Sequence, residues 1–205
     1  MKKKILAGVL ACILLIGIGV GGTLAWLTAQ TNDVVNTFTS SDIDITLEES
    51  TTEYQMIPGH SIAKDPLVTV VDGSEDCWLF VKIEKSANYD TYLEEYAVAE
   101  GWTELDGEDG VYYRYVLATD ATKSFYVLAG NEEIDGMENG RVVVKTSVEK
   151  DDMQAIDGVN ADGNADQAEL DARPTLTFTA YAVQYYQSNG DPFAVADAWA
   201  NRSTT

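Results

Sequence analysis

Cys77-Trp78-Leu79-Phe80-Val81-Lys82-Ile83-Glu84 alternates in strict period two. Cys77, Leu79, Val81 and Ile83 form one row, and Trp78, Phe80, Lys82 and Glu84 the other, the pattern of a strand that buries one face. Moving outward, Leu67-Val68-Thr69-Val70-Val71 is short, β-branched and closed by the turn pair Asp72-Gly73. Val111–Leu117 and Ser124–Leu128 read as further strands, the first entered from the turn-rich Asp106–Gly110. Arg141–Glu149 begins after Asn139-Gly140 and carries four valines with charged alternates. Thr175–Tyr186 is long and dense in Thr, Tyr and Phe, residues suited to a pleated, half-buried surface.

Two segments break this pattern. Tyr89, Tyr92, Leu93, Tyr96 and Ala97 recur at three and four residues, which predicts a helix with Glu94 and Glu95 outside. Phe193, Ala194, Ala196, Ala198 and Trp199 predict a terminal helix capped by Asp191, with Pro192 at its first position and Trp199 pinning it to the sheet. About eight short strands with turn signals and few helices predict an all-β fold, a jelly-roll-like two-sheet sandwich.

A different segment opens the chain. Lys2-Lys3-Lys4 runs into the apolar stretch Ile5–Val20, followed by Gly21-Gly22-Thr23-Leu24-Ala25. A cationic start, an apolar core and small residues before a cut make up an export signal. Roughly 20 apolar residues would also serve as an uncleaved anchor, but the glycines at 17, 19, 21 and 22 favour a signal helix cut between Ala25 and Trp26. Val9-Leu10-Ala11-Cys12 loosely matches a lipobox but lies too near the start, with the apolar run continuing past it. The expected organisation is a signal peptide at 1–25, an extended arm at 26–41 and a β-sandwich domain at 42–205.

Gly21–Ala25, Trp26–Thr28, Asn36–Thr39 and Asp44–Leu47 together resemble the signal region of the TasA/camelysin family, as does Leu176–Gln184 the family's last strand. Ala29 departs from the acidic residue that many relatives carry there. The resemblance implies a Gram-positive export protein, cut by a dedicated signal peptidase, with a jelly-roll fold and a role as a biofilm matrix fibre subunit. Camelysin-like relatives are described as metallopeptidases, which this resemblance brings into question here.

The residues speak against that activity. Zinc hydrolases use three protein ligands, often two histidines on one helix, whereas His60 is the single histidine and sits in the turn-like Pro58-Gly59-His60-Ser61. No Gly-x-Ser-x-Gly elbow is present for a serine nucleophile. Paired carboxylates say nothing in a chain with 34 acids. The expectation is no enzyme, no catalytic residue and no cofactor.

Calcium is the one metal weighed. Asn160, Asp162, Asn164, Asp166, Glu169 and Asp171 alternate oxygen ligands along the loop Asp157–Asp171, but Ala165 stands where an EF-hand needs glycine. The expectation is a solvated loop, with weak calcium binding at Asn160, Asp162, Asn164 and Asp166 as its sharper alternative. Loss of Lys2, Lys3 and Lys4 with the signal takes the net charge from −21 to −24. Such a surface repels nucleic acid and anionic membranes, and close self-association must overcome it. Cys12 leaves as well, so Cys77 stands alone and is expected to be a small buried hydrophobe.

The arm supplies the functional expectation. Trp26–Ser41 is rich in Thr, Val, Asn and Phe, and sixteen residues extend about 50 Å as a strand. A globule of 180 residues is roughly 40 Å across, so the arm reaches a neighbour. There Val34, Val35, Thr37, Phe38 and Thr39 would add a strand to the next subunit's sheet, a head-to-tail contact that yields an open filament. Alternatively the arm folds back as the first strand of its own sandwich until exchanged. No Leu-Pro-x-Thr-Gly sorting motif is present, so the cut chain is expected to leave the membrane for the matrix or cell surface. Matrix proteins are possible further partners. The second function class is a surface module that binds carbohydrate or protein through Tyr112, Tyr113, Tyr185 and Tyr186.

Overall fold

Antiparallel pairing organises the computed structural model, which describes residues 42–51, 54–159 and 163–202. All of them belong to the unit Ser41–Thr205. In chain order the described strands are β1 (Ile45–Glu48), β2 (Ser61–Ala63), β3 (Leu67–Val70), β4 (Cys77–Lys85), β5 (Thr103–Glu104) and β6 (Val111–Val116). They continue with β7 (Ser124–Tyr126), β8 (Ala129–Asn131), β9 (Met137–Asn139), β10 (Arg141–Val143) and β11 (Leu176–Gln184). Among the described residues five short helices intervene: α1 (Tyr89–Tyr92), α2 (Glu132–Asp135), α3 (Lys150–Gln154), α4 (Gln167–Asp171) and α5 (Val195–Ala200). The chain is therefore a fold of several antiparallel sheets with a few short helices. Among the described residues no helix is long and apolar enough to cross a membrane.

The largest sheet has the order β11-β4-β6-β5, and a second has the order β1-β3-β7. Two ribbons, β10-β2 and β8-β9, complete the pairing. Period two in β4 dictates the layering. Cys77, Leu79, Val81 and Ile83 point into the main core with Val68 and Val70 of β3, Val116 of β6, and Val142 and Val144. Ile45 and Leu47 of β1, and Leu176 and Phe178 of β11, pack against the same core from its margins. Cys77 is fully buried at the strand start, as its neighbours required, and burial pushes its thiol up to about 11.

The other face of β4 is not simply solvated, contrary to a one-faced reading of the alternation. Phe80 is buried there with Leu105, Val111, Ala198 and Trp199. Trp199 of α5 sits 5.3 Å from the Phe80 ring and 5.4 Å from Tyr181, so it does fasten the terminal helix to the sheet. That helix begins at Val195 after the N-cap Ala194, later than the sequence predicts. Asp191 instead accepts from Asn189 at 3.0 Å, and Pro192 bridges to Tyr186.

Two further expectations are corrected by competition for backbone groups. The helix over Tyr89–Ala97 stops at Tyr92, because Leu93 bridges to Val144 and the Glu94 amide donates to Val143 at 2.9 Å. One turn has no cooperative reserve against such bonds. The strand over Arg141–Glu149 shrinks to Arg141–Val143; a turn follows, closed from the Val148 amide to Lys145, and α3 then starts with Asp152 accepting from the Glu149 amide at 2.9 Å.

Candidate functional site

The strand β11 forms one end of the four-stranded sheet, and among the described residues its ladder partner is β4 alone. All nine of its residues are in register with β4, from Leu176 opposite Lys85 to Gln184 opposite Cys77. An antiparallel ladder engages alternate residues on each side, so about four residues turn their amide and carbonyl away from β4. Leu176-Thr177-Phe178-Thr179-Ala180-Tyr181-Ala182-Val183-Gln184 contains no charge and no proline. Edge strands are ordinarily protected by such residues; among the described residues this edge has neither.

The root of the predicted arm lies next to this edge. Strand β1 ladders with β3 on one side and also approaches β11, with Cα separations within 8 Å. Just ahead of β1, the Asp44 carbonyl accepts from the Val71 amide at 2.8 Å. Ser74, only 6% exposed, accepts from the Asp44 amide at 3.1 Å through its hydroxyl, which lies 3.3 Å from the Asp44 carbonyl. The point where the arm would leave the domain is thus clamped by side chain and backbone. The predicted cleavage pair Ala25 and Trp26, and the assembly residues Val34, Val35, Thr37, Phe38 and Thr39, lie outside the described residues.

The acidic loop divides. Asn160 and Asp162 lie outside the described residues, while Asn164 and Asp166 lie within them. Asp166 is the N-cap of α4, its carboxylate accepting from the Ala168 amide at 3.0 Å and the Glu169 amide at 3.4 Å. The helix corrects the reading of Asp157–Asp171 as loop throughout, and its cap engages Oδ1 of Asp166. Among the described residues no three acids, histidines or cysteines are grouped to hold a metal. His60 is exposed beside its turn, with Nδ1 3.2 Å from the Pro58 carbonyl.

The tyrosines also separate. Tyr112 packs against the main core and Tyr113 against Trp78 and Phe80, so both serve the interior. Tyr185 and Tyr186 meet edge to face at 4.9 Å, and Tyr115 and Trp78 lie tilted at 4.3 and 5.4 Å from Tyr185. Tyr186 is 49% exposed and Tyr115 36%. The Trp78 indole donates to the Phe193 carbonyl at 3.0 Å, and Tyr115 donates to Asp76 at 3.3 Å. Trp78 and Tyr115 escape a single-strand reading because register, not spacing, places them opposite each other.

A cleft of about 630 Å³ opens nearby, lined by Glu100, Arg114, Asp120, Ser124, Phe125 and Asn139 among others. Arg114 belongs to β6 and points to the core-facing side, opposite Leu79. Its guanidinium carbon lies 3.5 Å from the Phe125 ring centre and 5.3 Å from that of Trp102. Nothing in the sequence singles out this arginine.

Comparison with protein-family models, with characterised proteins and with solved structures finds no match to this chain.

Proposed function

We propose that this chain is an exported structural protein whose copies link into extracellular, biofilm-matrix fibres by lending an N-terminal strand to a neighbour. On this reading the signal helix is cut between Ala25 and Trp26 by a dedicated peptidase. The two larger sheets form a jelly-roll-like sandwich around the shared core, and β11 is the acceptor edge. What carries the proposal is that edge: nine residues, uncharged, proline-free, and laddered on one side among the described residues. The Ser74 clamp supports it by fixing the arm's root beside β11. Strand addition would satisfy backbone groups on both partners, with Val34, Phe38 and their neighbours supplying side-chain pockets.

The test is deletion. Protein starting at Trp26 should sediment as polymer, and protein starting at Asp42 should remain monomeric with unchanged thermal unfolding. Filaments of ordinary length from the shortened chain would refute strand lending. The role proposed is mechanical rather than enzymatic, since a lone exposed His60 offers no base paired with a nucleophile.

A second reading is favoured by the aromatic cluster of Tyr115, Tyr185 and Tyr186, tilted and edge to face, with Tyr115 and Tyr186 exposed. Exposed ring faces can carry a carbohydrate or protein ligand at the cell surface. A glycan array probed with monomer separates the two, because fibre formation alone gives no sugar selectivity.

A further inference from the structure

We propose that the cleft at Arg114 binds a carboxylate. Among the described residues Arg114 is the half-buried base that donates no hydrogen bond, while Lys64, Lys82, Lys123, Arg141, Lys145 and Arg202 all have partners. A guanidinium has five donors and stays charged at any physiological pH. Partial burial works against that charge and draws its pKa down, with Asp120 offsetting part of the effect through space. The Nε atom is shut off from solvent and has no acceptor. In a chain of net charge −21, a base left in this condition is conspicuous, because acids to pair with it are abundant.

The surroundings hold the group in place. Phe125 covers one face of the fork by a cation–π contact, and Trp102 packs nearby, its indole fixed by a 2.9 Å bond to the Tyr126 carbonyl. Gly101, at φ +89°, lets its backbone pass close by: a Cβ there would stand 3.1 Å from an Arg114 Nη atom. With faces covered and Nε shut off from solvent, the Nη1–Nη2 end of the fork remains for a planar, bidentate acceptor, and a carboxylate has that shape.

The walls narrow the ligand further. Glu100 and Asp120 line the same cleft without forming an ion pair with Arg114. Asp120 is engaged with the Leu117 amide at 2.9 Å. Two acidic side chains on the wall, Asp120 held and Glu100 exposed, disfavour a dianion such as phosphate more than a single carboxylate. Thr122, Ser124 and Asn139 offer neutral hydrogen-bonding groups to the rest of the ligand. A free small organic acid and an aspartate or glutamate of another polypeptide present the same group.

The experiment uses the mature chain, whether or not it polymerises, and reads binding by calorimetry and by the ligand-induced rise in unfolding temperature. The probes are acetate, neutral acetamide, a blocked hexapeptide with one glutamate, and the same peptide with glutamine. Acetate or the glutamate peptide should bind saturably and its neutral counterpart should not. Arg114→Lys should weaken binding about tenfold, since it keeps the charge but loses the fork. The double variant Glu100→Gln/Asp120→Asn leaves Arg114 intact and should tighten binding. A peptide at least tenfold tighter than acetate identifies a polypeptide source; parity identifies a free acid. The proposal is overturned if charged and neutral probes behave alike in both the native chain and the double variant. It also falls if folded Arg114→Gln binds as the native chain does. Should Arg114→Gln fail to fold, the double variant decides alone.

Discussion

Single residues set the limits of the domain. Trp199 is 4% exposed and closes the outer cluster over Phe80 and Tyr181, with the Arg202 guanidinium 3.4 Å from its ring centre. Replacing it with alanine removes the largest side chain from that cluster, and Trp199→Ala should lower the unfolding free energy by about 3–5 kcal/mol in urea titration. Ser74→Ala strips the clamp from Asp44 and should cost about 1–3 kcal/mol, with faster amide exchange at Asp44 than elsewhere in the sheet. Cys77 gives a pH signature. Its thiol is raised to about 11 by burial first and by Asp76 second. The folded state therefore holds its proton after the unfolded state, at about 8.5, has lost it. Stability from this source is complete below pH 8.5 and disappears as pH climbs to about 11. The fall of unfolding free energy between about pH 8.5 and 10, below the range where the buried tyrosines add their own, should weaken in Cys77→Ala, and native protein at pH 8 should resist thiol reagents.

Among the elements, β11 carries the proposed function and the sharpest contrast between what sequence exposes and what it hides. Its Thr, Phe and Tyr content and its period-two pattern made it legible as a strand, and β4 was legible for the same reason. Neither pattern reveals that β11 ends its sheet among the described residues, since edge position is a property of strand order. Short elements were harder. The stripe at Tyr89–Ala97 has helical spacing, but the backbone beyond Tyr92 is claimed by Val143, Val144 and Leu128. Such tertiary competition leaves no local trace. Arg114 and the Trp78–Tyr115 pairing were invisible for a related reason: both depend on which residue stands opposite which. Thr177→Lys together with Thr179→Lys places charges on β11 without touching the core row of Leu176, Phe178, Ala180 and Ala182. On the proposed assembly this pair should block fibre growth, while monomer unfolding moves by no more than about 0.5 kcal/mol. Light scattering and a melting curve on one sample check both halves.

At the scale of the whole molecule, charge opposes contact. On the proposed cleavage, a mature chain at −24 would meet its neighbours against long-range repulsion, and salt shortens the range from about 30 Å at 0.01 M to about 8 Å at 0.15 M. Fibre growth from the mature chain should therefore accelerate between those concentrations, with sodium chloride as effective as any divalent salt at equal ionic strength if the loop at Asn160–Asp166 plays no part. A calcium-specific excess would bring that loop back into the mechanism. The proposed assembly turns on which subunit receives the arm. One batch, isotopically heavy, carries Phe38→Cys, and a light batch carries Thr179→Cys, both in a Cys77→Ala background. The two are copolymerised, joined with a short bismaleimide and digested for mass spectrometry. Linked peptides pairing heavy residue 38 with light residue 179 are the predicted result. Fibres that form normally yet yield no such heavy–light pair would contradict it.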